Sequence, residues 1–188
     1  MPLNDTAARS LQLAEREWAI GHEREIFQVL SDSSDVENRR IASELLGYAV
    51  QSKDRIPALF RAASDPDKEV RNNVTRALGV LARGKPSVAA EIPPDAFIQM
   101  LNSGIWTDRN KGAMLAAQLT MGRNPDLLAK IRTEALDSCI EMALWRGFGH
   151  AGFARTVLGR VADIPEDSLN QLACKGPAAA IVEAARRQ

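Results

Sequence analysis

The sequence has few of the residues that most catalytic and metal-binding sites require. Among 188 residues it has two cysteines and two histidines, none of them in a CxxC, HxxxH or HExxH arrangement. A zinc site would therefore be short of ligands. The motifs GxxxxGKS and GxSxG are absent, and the GxGxxG spacing at 147–152 follows no strand-like segment. We therefore expect no metal, no cofactor and no enzymatic activity.

The sequence also lacks an excess of charge and a long apolar run. The 24 Lys and Arg residues balance the 24 Asp and Glu residues, and neither half of the chain is a polybasic block. This balance argues against nucleic acid or an anionic membrane as a partner. No run approaches the roughly 20 apolar residues that span a bilayer, and no signal-peptide pattern is visible. The two distant cysteines, Cys139 and Cys174, favour a reduced, cytoplasmic compartment.

The hydrophobic pattern is helical throughout. Aromatic residues are only 5 % of the chain, and no segment shows the alternation of a strand. Apolar residues instead recur at spacings of three and four, as in Val70, Val74, Leu78 and Leu81. Turn residues such as Asp65-Pro66 and Pro93-Pro94 interrupt this pattern at short intervals. The pattern predicts an all-α protein of about ten short helices.

Two copies of one helical unit follow each other at an offset of 32 residues. This offset aligns three pairs of structural positions: Asp35 with Asp67, Arg39 with Arg71, and Gly47 with Gly79. We expect each arginine to bond the acid four residues earlier, or exposed backbone, and so to tie successive repeats together. The two glycines are expected to let neighbouring helices approach closely.

A weaker third copy places Arg109 at the arginine position. Ile105 stands where the acid would be, so we interpret Arg109 as the freest of the three arginines. Because a helical pair cannot bury its apolar face alone, stacked copies must share one core. We predict a single domain over 1–188, with a capping helix at 1–21, repeats at 22–122 and degenerate helical repeats at 123–188. A separate C-terminal domain is the alternative.

The segment 64–82, SDPDKEVRNNVTRALGVLA, resembles the turn and second helix of a HEAT repeat. The resemblance lies in Asp67, in Val70-Arg71 and in the Ala-Leu-Gly run that ends at Gly79. The copy at 32–50 is similar but has Asn38 where valine is usual. The resemblance implies a right-handed, armadillo-like α-solenoid of antiparallel helix pairs. Such folds host many functions, so the motif itself says little about activity.

Six polar residues of the second helices are expected to line the inner, concave surface of the array. They are mixed in charge and rich in hydrogen-bonding groups: Arg40, Glu44, Asn72, Arg76, Asn110 and Gln118. Such a surface suits a protein or peptide, and a solvated face without a partner is the alternative. Trp106 is either tucked over the core or exposed as an anchor. We predict that Trp106 and Arg109 anchor a partner.

The densest aromatic segment is 145–153, WRGFGHAGF, which contains His150. We interpret it as an aromatic plug at a bend between helices, in which the histidine bonds backbone. A nucleophilic pair of Cys139 and His150 is the chemical alternative, although the spacing of the two residues does not support it.

The resemblance and the missing catalytic motifs together favour a non-enzymatic scaffold that binds another protein through its concave surface. Nucleic-acid binding is the alternative, because HEAT-like solenoids include DNA-alkylation glycosylases that cradle duplex DNA on a basic face. Some bilin lyases also resemble HEAT arrays, but no residue here marks a tetrapyrrole site.

Overall fold

The computed structural model describes residues 6–49, 56–84 and 86–188, and every regular element in these ranges is a helix. This confirms the all-α prediction for the described part of the chain. Contacts group the chain into two compact units, Met1–Ile92 and Pro93–Gln188. The predicted single domain, with boundaries after residues 21 and 122, stays a prediction; the division that the contacts give lies between residues 92 and 93.

The N-terminal unit is built on two stacked helix pairs. Its helices are α1 (Thr6–Gly21), α2 (Glu23–Asp32), α3 (Val36–Ala49), α4 (Ile56–Ala62), α5 (Lys68–Gly84) and the short α6 (Pro86–Ala89). Helix α2 packs on α3, α4 packs on α5, and the second helices α3 and α5 pack on each other. Their first residues, Val36 and Lys68, differ by the predicted offset of 32. Phe27, Leu46 and Leu78 are among the buried side chains of this unit.

The C-terminal unit contains three further helix pairs. Its helices are α7 (Pro94–Leu101), α8 (Trp106–Leu119), α9 (Pro125–Ala143), α10 (Phe148–Val161), α11 (Glu166–Lys175) and α12 (Ala178–Arg187), with a 3-10 turn at Thr120–Gly122. Helix α10 lies at the centre, in contact with α8, α9, α11 and α12. Phe97, Leu115 and Leu158 form part of the buried core. The pairs thus stack through their second helices, as they do in the N-terminal unit.

The glycine prediction is wrong for Gly47. A Cβ built on Gly47 meets no described neighbour within 4 Å, so none of the described helices approaches closely there. Gly79 is buried in α5. The close approach is instead made at Gly112 of α8, where a Cβ would lie 2.9 Å from Met100 Cβ and 3.1 Å from Phe97 O. The packing of α7 on α8 therefore depends on a residue without a side chain at position 112.

Helix α1 buries little of its apolar surface. Ala19 is its buried residue, whereas Leu11, Leu13, Trp18 and Ile20 are exposed. A helix that closes an array against water would present polar side chains instead, so the capping role of 1–21 stays a prediction. In the described ranges, no helix has the length and hydropathy needed to cross a bilayer.

Candidate functional site

The two repeat aspartates begin the second helices of the N-terminal unit in the same way. Asp35 Oδ1 accepts the Glu37 backbone N–H at 2.8 Å, and Asp67 Oδ1 accepts the equivalent Glu69 N–H at 3.0 Å. Each carboxylate therefore caps the positive end of its helix. The recurring acid is explained by this capping.

The two repeat arginines hold the turns that precede these helices. Arg39 Nη1 donates to the carbonyls of Ser33 and Ser34, and Arg71 Nη1 donates to those of Asp65 and Pro66. Each arginine thus binds the two carbonyls at the same positions in its own copy. The sequence left open whether the arginine bonds the acid or the backbone, and these contacts favour the backbone.

Successive repeats are joined by a second set of arginine–aspartate contacts. Arg39 Nε donates to Asp65 Oδ2 at 2.9 Å, and Arg40 binds both oxygens of Asp67 at 2.7 and 3.0 Å. The Arg40 guanidinium lowers the pKa of Asp67 well below its usual range, assisted by the backbone N–H groups at the helix start. Arg40 therefore stabilises the repeat junction, and its predicted role in partner binding on the concave surface stays a prediction.

The other predicted concave residues differ in exposure. In the N-terminal unit, Glu44 and Arg76 are exposed and Asn72 is half-buried. In the C-terminal unit, Gln118 is half-buried, but Asn110 is only 9 % exposed and offers little surface to a partner. Partner binding by these residues stays a prediction.

Three rings of the C-terminal unit come together in what we call the aromatic cluster, formed by Trp106, Trp145 and His150. The two indole rings stack with centroids 6.3 Å apart, and the His150 ring meets Trp106 edge-on at 4.7 Å. Trp106 is nevertheless 49 % exposed. The sequence left open whether Trp106 is tucked over the core or exposed. In the structure, part of its ring packs on the neighbouring rings and the rest is exposed to solvent.

Arg109 lies next to this cluster, and its guanidinium is held by several contacts. It binds both oxygens of Glu141 at 2.9 and 3.0 Å, donates to the Ser138 carbonyl, and lies 5.4 Å from the centroid of the Trp145 ring. These hydrogen bonds lower the pKa of Glu141. The expectation that Arg109 is the freest repeat arginine is wrong, because an acid on α9 replaces the one missing from its own turn.

His150 takes part in side-chain contacts rather than in a nucleophilic pair. Its Nδ1 lies 3.3 Å from Asn110 Oδ1, so the histidine meets a side chain and not the backbone acceptor expected from the sequence. Cys139 is fully buried, which raises the pKa of its thiol to about 12. A protonated thiol in the core is a poor nucleophile. The geometry therefore gives no support to a Cys139–His150 pair.

The sequence comparisons locate the repeat family in the N-terminal part. Residues 23–92 match the family model described as HEAT repeats. This segment is made of HEAT repeats. The match includes both copies of the 32-residue unit and confirms the resemblance seen in the sequence. The third copy, around Arg109, lies outside the matched residues. No curated protein is significantly similar to the chain.

Two solved structures, both crystal structures of engineered proteins from the Northeast Structural Genomics Consortium, have a similar fold. One is 16 % identical with a TM-score of 0.65, and the alignment covers 98 % of this chain and 94 % of that chain. The other is 15 % identical with a TM-score of 0.61, and its alignment covers 86 % of this chain and 68 % of that chain. With the HEAT repeats, these similarities confirm a helical solenoid fold, and at this identity they concern the fold alone.

A buried arginine beyond the HEAT-repeat segment was missed by sequence reasoning. Arg160 of α10 is 7 % exposed and donates to the Ala117 carbonyl, to Thr120 Oγ1 and to the Glu166 carboxylate. Its partners are on α8, the 3-10 turn and α11, so it ties three elements together. The sequence gives no signal for this role, since the closest partner is six residues away and the others are about 40. We assign Arg160 to the architecture of this unit.

The described residues contain no group of three or more His, Cys, Asp or Glu side chains placed to hold a metal ion. The two clusters that are richest in charge, around Arg40 and around Arg160, are satisfied by their own ion pairs. The aromatic cluster, by contrast, exposes a large apolar ring that its neighbours hold in place.

Proposed function

We propose that this chain is a non-enzymatic HEAT-repeat module that binds another protein, with the aromatic cluster of the C-terminal unit as its anchor. The observation that carries the proposal is the position of Trp106, which is half exposed and yet stacked on Trp145 and met edge-on by His150. A large ring held in one orientation loses little further conformational freedom on binding, so more of its contact energy contributes to affinity.

The surroundings of Trp106 match the composition of energetic centres in protein interfaces. Tryptophan and arginine are the residues most enriched there. Arg109 lies beside the cluster with its guanidinium over Trp145 and a bidentate contact to Glu141, which orients the charge before a partner arrives. We propose that Trp106 makes the main contact and that Arg109 positions the cluster.

The non-catalytic assignment is supported by the surroundings of the two residues that the sequence offered as a nucleophilic pair, Cys139 and His150. The Cys139 thiol is buried with a raised pKa, and His150 is engaged by Asn110 and Trp106. We also propose a cytoplasmic location, because both cysteines are free and one of them, Cys174, is exposed. An exposed thiol survives unpaired in a reducing compartment.

Capture from the native lysate followed by mass spectrometry tests the proposal. The bait is used as wild type, as Trp106→Ala and as Met121→Ala, which removes a 60 % exposed apolar side chain from the same unit. We expect a protein that wild type and Met121→Ala enrich equally and that Trp106→Ala retains roughly 30-fold less, because loss of a hot-spot side chain costs about 2 kcal/mol or more.

Circular dichroism and thermal unfolding establish that each bait is folded. The proposal fails if no protein is enriched over an empty matrix, or if folded Trp106→Ala captures the same proteins as wild type. Turnover of a small molecule by the purified chain would overturn the non-enzymatic assignment.

A further inference from the structure

The N-terminal unit contains an open apolar groove between its first three helices. The groove has a volume of about 330 Å³, within the range of small ligand sites. Helix α1 contributes one wall, α2 the floor and a second wall, and α3 the opposite side. Its apolar lining residues are Trp18, Ile26, Val29, Ile41, Ala42 and Leu45.

The walls of this groove expose large apolar side chains in one place. Trp18 is 52 % exposed, Val29 40 % and Ile41 57 %, whereas Ile26 at the floor is buried. Single exposed apolar residues are ordinary, but a contiguous group around a concavity marks an interaction site. Trp18 is also fixed, since its ring stacks on His22 at 4.3 Å and the His22 Nδ1 lies 2.8 Å from the Trp18 carbonyl oxygen.

The charged residues that line the groove are carboxylates. Glu25 lines it directly, and a shallower cavity of about 330 Å³ continues from it along α2 to Asp32. Glu25, Val29 and Asp32 lie on one face of α2, at the spacing of one and two helical turns. Among the residues that the structure describes, no lysine or arginine lines either cavity. An occupant with cations next to apolar side chains would complement this surface.

We propose that this groove binds a basic amphipathic helix of a partner protein. Leucine-sized side chains of that helix enter between Trp18, Val29 and Ile41, and its lysines or arginines face Glu25 and Asp32. A helix fits because the groove runs along α2 and presents its acidic and apolar residues at helical spacing. This site goes beyond the proposed function, since it lies in the other unit and is independent of the aromatic cluster.

Two other occupants fit less well. An anionic membrane surface would be repelled by Glu25 and Asp32. A second copy of this chain offers the exposed apolar side of α1, but the charged residues of that helix are Arg9, Glu15, Arg16 and Glu17, which carry no net charge. A basic helix therefore matches the groove better than either.

Anisotropy of a fluorescein-labelled helical peptide tests the proposal. The probe carries leucine at i, i+3, i+4 and i+7 and lysine at the flanking positions, and its control carries glutamate in place of every lysine. At physiological salt we expect the lysine peptide to bind at least roughly tenfold more tightly than the control, as charge complementarity requires. Equal binding of the two peptides, or no binding of either, would overturn the proposal.

Matched variants locate the peptide on the protein. Glu25→Lys with Asp32→Lys is compared with Glu91→Lys plus Asp137→Lys, which changes the net charge equally at exposed positions outside the groove. Ile41→Ser is compared with Val80→Ser, another exposed apolar residue of the same unit, 58 % exposed. We expect the groove variants to weaken binding of the lysine peptide by about tenfold and the controls to change it by less than about twofold. Equal effects of groove and control variants contradict the proposal.

The remaining outcomes identify a different occupant or site. Sedimentation of the chain as a dimer that Ile41→Ser dissociates would assign the groove to a second copy. Preferential binding of phosphatidylserine vesicles would assign it to a membrane. Trp106→Ala should bind the lysine peptide as wild type does, even if it captures less protein from the lysate. If Trp106→Ala loses the peptide and Ile41→Ser retains it, the groove proposal is wrong and the proposed function is unaffected.

Discussion

At the scale of single residues, Asp35 and Asp67 hold equivalent positions, but Asp67 makes two further contacts, with the Val70 N–H and with Arg40. Both cap the second helix of their repeat, through the N–H groups of Glu37 and Glu69. Only for Asp67 does the structure also show a bidentate contact from Arg40. Comparing the two aspartates within one protein therefore measures what the ion pair and the second backbone hydrogen bond add to a simple helix cap.

We expect Asp35→Ala to lower the free energy of unfolding by about 1 kcal/mol, the usual cost of losing a helix cap. Asp67→Ala should lower it by about 2–3 kcal/mol, because it also removes the acceptor of the Val70 N–H and the bidentate acceptor of Arg40. Urea unfolding followed by circular dichroism at neutral pH measures both. Equal losses would show that the Arg40 contact contributes nothing.

The same comparison at acid pH serves as a control. The pKa of Asp67 is lowered in the folded chain from its ordinary value of 3.8, so the stabilisation from its ionised form is complete above that pH and declines as the pH falls below it. The difference between the two variants should therefore narrow between neutral pH and pH values under 3.8. A difference that stays constant with pH would contradict an electrostatic origin.

Arg109 shows why residue roles were only partly predictable from the sequence. The repeat arginines Arg39 and Arg71 bind carbonyls five and six residues away, and such local contacts follow from the motif. The acceptor of Arg109, Glu141, is 32 residues away on another helix. Nothing in the local sequence indicates a partner at that distance. The absence of an acid four residues before Arg109, where Ile105 stands, therefore led to the wrong expectation that this arginine is the freest of the three.

At the scale of helices, Gly47 and Gly112 are opposite cases of the same residue type. Both lie within a helix, where glycine costs up to about 1 kcal/mol relative to alanine. At Gly47 an added Cβ meets no described neighbour within 4 Å, whereas at Gly112 it meets Met100 Cβ at 2.9 Å and Leu101 N at 3.1 Å. Only the second glycine is required by the packing of one helix on another.

Alanine at the two positions should therefore change stability in opposite directions. We expect Gly47→Ala to raise the free energy of unfolding by up to about 1 kcal/mol, because it removes the glycine penalty without a clash. Gly112→Ala should lower it by about 1–3 kcal/mol, because α7 must move away from α8. Thermal unfolding of the two variants and of wild type measures these changes in stability. Destabilisation by both variants would contradict the contacts described for Gly47.

The helices themselves were more predictable than their contacts. The 32-residue offset anticipated that α3 and α5 are equivalent, because capping residues and apolar spacing are local properties of the sequence. It also led to the expectation that Gly47 and Gly79 share one packing role, which fails for Gly47 because its neighbour depends on how the helices are placed. The groove beside α1 escaped prediction for the same reason, since three helices contribute its walls.

At the scale of the whole molecule, the charge balance of 24 basic and 24 acidic residues argues against nucleic acid as a partner. Affinity for DNA depends on basic residues that are available to displace counterions from phosphates. Several arginines are instead occupied by carboxylates of the chain itself, as Arg40 is by Asp67, Arg109 by Glu141 and Arg160 by Glu166. Fewer basic groups remain for phosphates than composition suggests.

We therefore expect no retardation of duplex DNA by the full chain in a gel-shift assay at low ionic strength, the condition that most favours phosphate contacts. The exposed Arg76 of α5 provides the internal control, because it lies on the surface predicted to be concave and can reach a ligand. If DNA is retarded, if the retardation disappears as salt is raised, and if Arg76→Glu weakens it, then the HEAT repeats engage nucleic acid and the charge argument is wrong. Retardation that Arg76→Glu leaves unchanged would contradict it equally, and would place the contact elsewhere on the chain.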